Sequence, residues 1–132
     1  VASFSKKLLN NYGLKTLAKG EENYVEIYEG DGYKRDTSYH QGITWPWLLG
    51  LYYNSLKNMI KNSKNKKQKV ELEEKLEKFR AQIYKTFKNE LNDNGCIGSI
   101  AELYDSVKPN LPKGAIAQGW SVAEVFRIIL GK

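Results

Sequence analysis

The sequence predicts an all-α fold in which about three helices are separated by long irregular loops. Two observations lead to this prediction. Apolar residues recur at spacings of three and four in three segments, as they do on one face of an α-helix. Glycines and prolines interrupt the stretches between those segments, which is typical of turns and loops. With 132 residues, the chain has the size of one domain.

The first 43 residues are predicted to be mostly irregular. Glycines at positions 13, 20, 30, 32 and 42 interrupt them, and only the segment 24–28 alternates like a short strand. A long irregular stretch is unusual in a compact domain unless it is functional, so this part of the chain is a candidate for a binding site.

The first predicted helix begins at Thr44 and ends near Asn62. Thr44 is a suitable N-cap, and Pro46 lies in the first turn, where its missing N–H costs no hydrogen bond. The apolar residues of this segment fall at helical spacings and form a wide stripe that comprises Leu48, Leu49, Tyr52, Tyr53, Leu56, Met59 and Ile60.

Two further segments have the same periodicity. A second helix is predicted over residues 69–91, with a charged face of Glu and Lys opposite an apolar face of Leu72, Leu76, Phe79, Ile83 and Phe87. A third helix is predicted to begin at Ser121, because Glu124 lies three residues later and completes a capping box. The stretch between these two helices is predicted to be irregular.

The basic excess of the chain is confined to one segment. The chain has 21 Lys and Arg against 15 Asp and Glu, and its formal net charge is +6. The segment from Lys57 to Lys69 contains six lysines and no acid, so the remaining residues carry no net charge. Asn, Ser and Gln separate these lysines, which favours a solvated linker between two helices over a patch that binds RNA or another phosphate.

The composition excludes several classes of protein. A single cysteine, Cys96, rules out an internal disulfide, and one Cys with one His rules out a zinc site built from these ligands. No apolar run approaches the ~18–20 residues that cross a bilayer, so no membrane is expected as a partner. Nucleic acid is not expected either, because the lysines lie in a segment that has the composition of a solvated linker. Because the chain begins with Val1 rather than Met, it is expected to be a piece of a longer polypeptide. The expected location of that polypeptide is the cytoplasm.

Three stretches combine aromatic rings with hydrogen-bonding side chains near predicted helix starts, as expected for a pocket that binds a sugar. They contain all the tryptophans of the chain and a set of polar candidates: Trp45, Trp47, Trp120, Arg35, Asp36, His40, Gln41 and Gln118. Core packing is the alternative for the indoles and has equal weight for Trp47. A local ion pair is the alternative for Arg35 and Asp36, and a structural hydrogen bond is the alternative for His40.

Glu102 is the carboxylate that differs most from the others. It lies in an otherwise apolar stretch flanked by Gly and Ser, unlike the glutamates on the charged face of the second helix. A carboxylate in such a setting is a candidate general base. The alternative is an exposed loop glutamate without a catalytic role.

Three motifs carry a resemblance to a known family. They are RDTSYHQGITWPWLLG at 35–50, CIGSIAELYD at 96–105 and AQGWSVAEVFRIIL at 117–130. Together they resemble the C-terminal part of the amylo-α-1,6-glucosidase domain of archaeal and bacterial glycogen debranching enzymes. The resemblance extends from about Leu8 to Leu130 and implies the C-terminal helical-hairpin segment of an (α/α)6 toroid.

The resemblance also implies an activity. Enzymes of this kind hydrolyse glucosidic bonds with inversion, using one acid and one base. Their base lies in a motif Glu-x-aromatic-Asp, which the residues 102–105 match, so Glu102 is implied as the base. His40, Trp45 and Trp120 are implied to line the glucose pocket, with Arg35, Asp36, Gln41 and Gln118 as weaker candidates.

The same resemblance implies the partners of the chain. The substrate would be glycogen or a branched α-glucan, and no cofactor or metal is implied. The general acid of the family lies upstream and no residue here matches it, so the remainder of the polypeptide, with the upstream toroid helices, would supply it. A chain of 132 residues without that acid is expected to be inactive alone. The alternative function is a non-catalytic carbohydrate-binding or interaction module.

Overall fold

The computed structural model describes residues 2–132, with side chains from Ser5 onward, so Val1 lies outside the described residues. Helices and short strands alternate along the described chain. In chain order these elements are α1 Ala2–Leu8, β1 Leu14–Lys15, α2 Gly32–Ser38, β2 Thr44–Trp45, a 3₁₀ turn Pro46–Leu48, α3 Leu49–Asn62, α4 Lys66–Asp93, β3 Leu103–Tyr104, β4 Pro112–Lys113 and α5 Gly119–Ile129.

The all-α prediction is wrong, because the chain folds into a mixture of helices and a sheet. Four antiparallel strands pair in the order β1-β2-β3-β4. Thr44 on β2 pairs with Tyr104 on β3, which joins the two halves of the sheet. Each strand has two residues, which is too short for the alternation of apolar and polar residues that would predict a strand from the sequence. The description of the chain as a purely helical hairpin segment of a toroid is wrong for the same reason.

The first 43 residues contain more regular structure than predicted. They include α1, β1 and α2, whereas the expected strand at 24–28 is irregular chain. Hydrogen bonds from other segments hold this chain in place. The Val25 N–H donates to the Gln41 carbonyl at 2.6 Å, and the Ser106 N–H donates to the Glu26 carbonyl at 2.7 Å. These bonds fix the segment against β2 and β3 without adding it to the sheet.

The first predicted helix begins five residues later than expected. Thr44 is not its N-cap but part of β2, and Pro46 opens a 3₁₀ turn that leads into α3. The Thr44 side chain instead contacts the Ser106 hydroxyl at 2.7 Å. Because Thr44 pairs with β3, it cannot serve as the N-cap of the helix.

The second predicted helix is confirmed and is longer than predicted. It covers Lys66–Asp93, with Asn65 as the N-cap, whose side chain accepts a hydrogen bond from the Gln68 N–H. The start of α4 absorbs much of the lysine-rich segment, and residues 63–65 connect it to α3. No helix within residues 2–132 combines the length and apolar character that a membrane span requires.

The third predicted helix begins two residues earlier than expected, and its capping box is wrong. Helix α5 starts at Gly119 with Gln118 as the N-cap, because the Gln118 N–H donates to the Ile100 carbonyl at 2.9 Å. Ser121 therefore lies inside the first turn and is buried, and its hydroxyl has no hydrogen-bond partner among the described residues. Glu124 pairs with Arg127 at 2.6 Å instead of capping the helix.

The apolar core lies between the sheet and α3, α4 and α5. Tyr104 on β3 is fully buried there, and its hydroxyl donates to the carboxylate of the buried Glu90 on α4 at 2.8 Å. A second, smaller cluster of Ile43, Trp45 and Leu103 lies against residues of the 25–48 segment. Strand β3 therefore contributes to both clusters, and Glu102 immediately precedes it.

Candidate active site

Glu102 lines an open cavity of about 600 Å³. The segment at Tyr28, helix α2 and the turn after β4 form its walls. Two other charged side chains, Arg35 and Asp36, line the cavity from α2, and both are exposed. The structure therefore brings Glu102, Arg35 and Asp36 to one cavity, although more than 60 residues separate Glu102 from the other two.

Both carboxylate oxygens of Glu102 accept hydrogen bonds. The Tyr39 hydroxyl donates to Oε1, and the Ala115 N–H donates to Oε2 at 2.9 Å. The Glu102 N–H in turn donates to the Ala115 carbonyl at 2.9 Å. The side chain and main chain of Glu102 are thus held by the same turn, and the half-buried carboxylate has a defined orientation.

Gly114 allows this turn to approach the carboxylate. Its φ is +70°, in the region that glycine adopts without strain, and an added Cβ would lie 2.4 Å from Oε2 of Glu102. No larger residue fits between the turn and the carboxylate as they stand. The N–H of Ala115 can therefore reach Oε2.

Tyr39 remains a neutral hydroxyl donor at ordinary pH. Burial raises the pKa of its phenol, and the hydrogen bond to Glu102 raises that pKa further. A protonated phenol can donate to a carboxylate, whereas a phenolate would repel it. The arrangement thus keeps one stable donor on Oε1.

Asp105, the last residue of the Glu-x-aromatic-Asp motif, has a structural position. It is 4% exposed. Its Oδ1 accepts from the Tyr28 N–H at 2.8 Å, and its Oδ2 lies 3.7 Å from Nζ of Lys113. Asp105 therefore ties Tyr28, which forms one wall of the cavity, to strands β3 and β4.

Trp45 and His40 support Tyr39. Trp45 is 5% exposed, and its indole N–H donates to the Tyr39 carbonyl at 3.2 Å. The indole meets the Tyr39 ring edge-on at 4.7 Å and stacks on the His40 ring at 5.2 Å with an interplanar angle of 18°. Neither Trp45 nor His40 lines the Glu102 cavity. Both rings contact Tyr39, which does line it.

The remaining sequence candidates lie outside the cavity. Trp47 and Trp120 contact each other edge-on at 6.1 Å, and Trp120 is 65% exposed. Gln118 occupies the N-cap position of α5, and Gln41 lines a separate cavity. The structure therefore does not bring these four residues to Glu102.

Sequence reasoning missed the residues that hold Glu102. Tyr39 lies in the first motif, between the candidates Asp36 and His40, and this position was the available signal that it belongs to the site. Gly114 and Ala115 follow Pro112-Lys113, a turn sequence with no chemical signal of its own. Only the fold shows that they contact the carboxylate.

The groups of the cavity that can take part in a reaction are carboxylates and hydrogen-bonding side chains. No three His, Cys, Asp or Glu side chains of residues 5–132 are grouped as metal ligands would be. Asp36 is the second carboxyl of the cavity within that range. An oriented carboxylate beside an open cavity can accept a proton from a water molecule.

Comparison with known proteins identifies the family. A family model described as amylo-alpha-1,6-glucosidase matches residues 1–127. A comparison with curated proteins gave no match. Since the matched range covers almost the whole sequence, the chain belongs to the amylo-alpha-1,6-glucosidase family.

Proposed function

We propose that this chain supplies the general base and part of the sugar-binding cavity of a glycogen-debranching glycosidase. The family membership supports the reaction class, hydrolysis of an α-1,6-glucosidic bond. The observation that carries the assignment of the base is the Glu102 carboxylate, half-buried at a cavity and held through both oxygens. In this proposal the chain is one segment of the C-terminal part of the domain, of the archaeal and bacterial type.

Glu102 would remove a proton from the attacking water. The donors Tyr39 and Ala115 use one lone pair on each carboxylate oxygen, and a second lone pair on each remains for the water. The two hydrogen bonds fix the orientation of the carboxylate, so the attacking water would meet an acceptor that is already in place. Arg35 and Asp36 would hydrogen-bond the sugar hydroxyls from α2.

Bond cleavage with inversion also needs a general acid. The acid protonates the leaving oxygen, and the two carboxyl groups of an inverting enzyme lie roughly 6.5–9.5 Å apart. We propose that the remainder of a longer, cytoplasmic polypeptide supplies this acid. Glycogen or a branched α-glucan would be the substrate, and the reaction as written uses no cofactor.

Replacement of Glu102 tests the proposal. In the enzyme that contains this chain, Glu102→Gln is expected to lower kcat by about 10²–10⁴-fold while glucan binding is retained. Glu124→Gln is the matched control, because Glu124 pairs with Arg127 on α5 outside the cavity. Wild-type activity in Glu102→Gln would show that another residue is the base.

Replacement of Asp36 tests where the acid lies. If the acid lies elsewhere in the polypeptide, Asp36→Asn raises KM for the glucan and changes kcat little. A loss of kcat as large as that of Glu102→Gln would instead place the acid on α2. Both substitutions keep the size of the side chain, so a comparison of their unfolding midpoints separates chemistry from folding.

A non-catalytic carbohydrate-binding module is the second candidate, and the exposed Trp120 beside Trp47 favours it. Aromatic rings at a surface bind the C–H faces of sugars. If this function is the right one, Trp120→Ala abolishes retardation by glycogen in a native gel, while Glu102→Gln changes no measured activity.

A further inference from the structure

A second cavity, of about 370 Å³, shares α2 with the Glu102 cavity. Arg35 and Asp36 of α2 line the first cavity, and Thr37, the next residue, lines the second. The other walls of the second cavity are residues 23–25 and Gln41. Its volume falls within the range of small-molecule sites, roughly 300–1,000 Å³.

The walls of this second cavity are fixed by the fold. The Val25 N–H donates to the Gln41 carbonyl at 2.6 Å, and the Tyr24 N–H donates to the Glu21 carbonyl at 3.2 Å. The Tyr24 ring lies against the backbone of Gly42, where an added Cβ would be 2.5 Å from the ring. The cavity is therefore formed without a ligand.

The second cavity offers free polar groups and no charge. The side-chain amides of Asn23 and Gln41 make no hydrogen bond to any described residue. The Thr37 hydroxyl donates to the carbonyls of its own helix and retains a lone pair to accept a bond. Each amide can both donate and accept, and none of the residues that line the cavity is charged.

These groups define the chemistry of a ligand. A bound anion is favoured by a cationic side chain and a bound cation by carboxylates, and the residues that line the second cavity include neither. A hydroxyl both donates and accepts, as the amides do, and needs no charge. The match is a neutral ligand with several hydroxyl groups.

We propose that the second cavity binds a glucosyl unit of the α-glucan other than the unit hydrolysed at Glu102. The identification of the ligand as a glucan rests on the proposed function. Because α2 separates the two groups of residues, one branched glucan would contact both sides of this helix. Gln41, a candidate from its motif, then has a binding role away from the general base.

Binding of maltoheptaose and glycogen by the double variant Asn23→Gly/Gln41→Ala tests the inference. The φ of Asn23 is +64°, which glycine adopts readily, and the backbone bond of Gln41 survives truncation of its side chain. Loss of two neutral hydrogen bonds is expected to weaken binding by about tenfold in calorimetry or affinity electrophoresis. Gln82→Ala, which removes an exposed amide on α4, is the control and is expected to bind like the wild type.

The outcomes separate this inference from the proposed function. Tenfold weaker binding by the double variant, with wild-type affinity in Glu102→Gln, supports a second site even if Glu102 proves not to be the base. Wild-type affinity in the double variant overturns the inference, as does a wild-type protein that binds neither maltoheptaose nor glycogen. Tenfold weaker binding together with an unfolding midpoint lowered far below that of Gln82→Ala also counts against it, because the loss then reflects folding.

Discussion

Gly114→Ala moves Glu102, the proposed general base, and leaves its carboxyl group chemically unchanged. An added Cβ would lie 2.4 Å from Oε2 of Glu102 and 3.1 Å from the Glu102 Cβ. Ordinary van der Waals contact begins at 3.4 Å, so the carboxylate must move by about 1 Å. That movement breaks the hydrogen bond from the Ala115 N–H to Oε2 and changes the orientation of the carboxylate in the cavity.

The magnitude follows from two separate effects. Misplacement of a catalytic group by about 1 Å lowers the rate by about 10²-fold. Alanine at a left-handed backbone position costs about 1–2 kcal/mol of stability, because its Cβ crowds the adjacent backbone carbonyl even where no other atom is close. Gly98→Ala isolates the second effect, because Gly98 has a φ of +81° and no atom within 4 Å of an added Cβ.

The assay is release of glucose from an α-1,6-branched limit dextrin by the enzyme that contains this chain, with urea unfolding of each variant in parallel. Both variants are expected to lose stability, Gly114→Ala the more because it also breaks the Ala115 hydrogen bond, and only Gly114→Ala is expected to lose kcat by about 10²-fold. Equal kcat values for Gly114→Ala and Gly98→Ala would refute the argument that Gly114 positions Glu102.

Three further predictions concern stability. Burial raises the pKa of Glu90, so the folded state keeps a proton that the unfolded state loses above pH 4.5, and the free energy of unfolding falls as the pH rises from there. Glu90→Gln should remove this fall. Parallel plots of unfolding free energy against pH for the variant and the wild type would contradict the prediction. Gly50→Ala should destabilise the wild type, since its Cβ would lie 1.8 Å from the Glu124 carboxylate, and should destabilise Glu124→Ala less, since only Nη2 of Arg127, at 3.0 Å, would then remain close; equal losses in the two backgrounds of a double-mutant cycle would contradict this. Arg80 donates to the last two carbonyls of α5 at 3.0 and 2.9 Å, so Arg80→Ala should cost about 1–3 kcal/mol in urea unfolding, and a change within 0.5 kcal/mol would show that these bonds contribute little.

Sequence reasoning identifies the elements whose signal is local. Helix α4 has 28 residues, and its apolar positions repeat often enough to define the helix and its buried face. The four strands have two residues each, and each is formed by pairing with a distant segment, so no local pattern reveals them. At Ser121 a local pattern misleads, because the bond from Gln118 to Ile100 starts the helix earlier than the capping box predicts.

The candidate site divides in the same way. Glu102 is found from its motif, which is contiguous in the sequence. Tyr39, which donates to it, is 63 residues away, and the turn at Gly114 has no pattern that points to a carboxylate. Trp120 lies in a motif that suggests a sugar pocket, yet the fold places it beside Trp47 and outside the Glu102 cavity. Proximity in space depends on the sheet, which local patterns do not predict.

The single residue pair between β2 and β3 has a consequence for amide exchange. Among the described residues, Thr44 and Tyr104 are the one aligned strand pair that joins the segment after Tyr39 to the segment that carries Glu102. The backbone ladder at this junction is one residue pair long, whereas α4 is a continuous helix of 28 residues, so the amides of the junction should open at a lower free energy than those in the middle of α4. In the enzyme that contains this chain, rising urea should therefore abolish glucose release before the far-ultraviolet circular dichroism of the helices is lost. Coincident transitions would show that the sheet and the helices open as one unit.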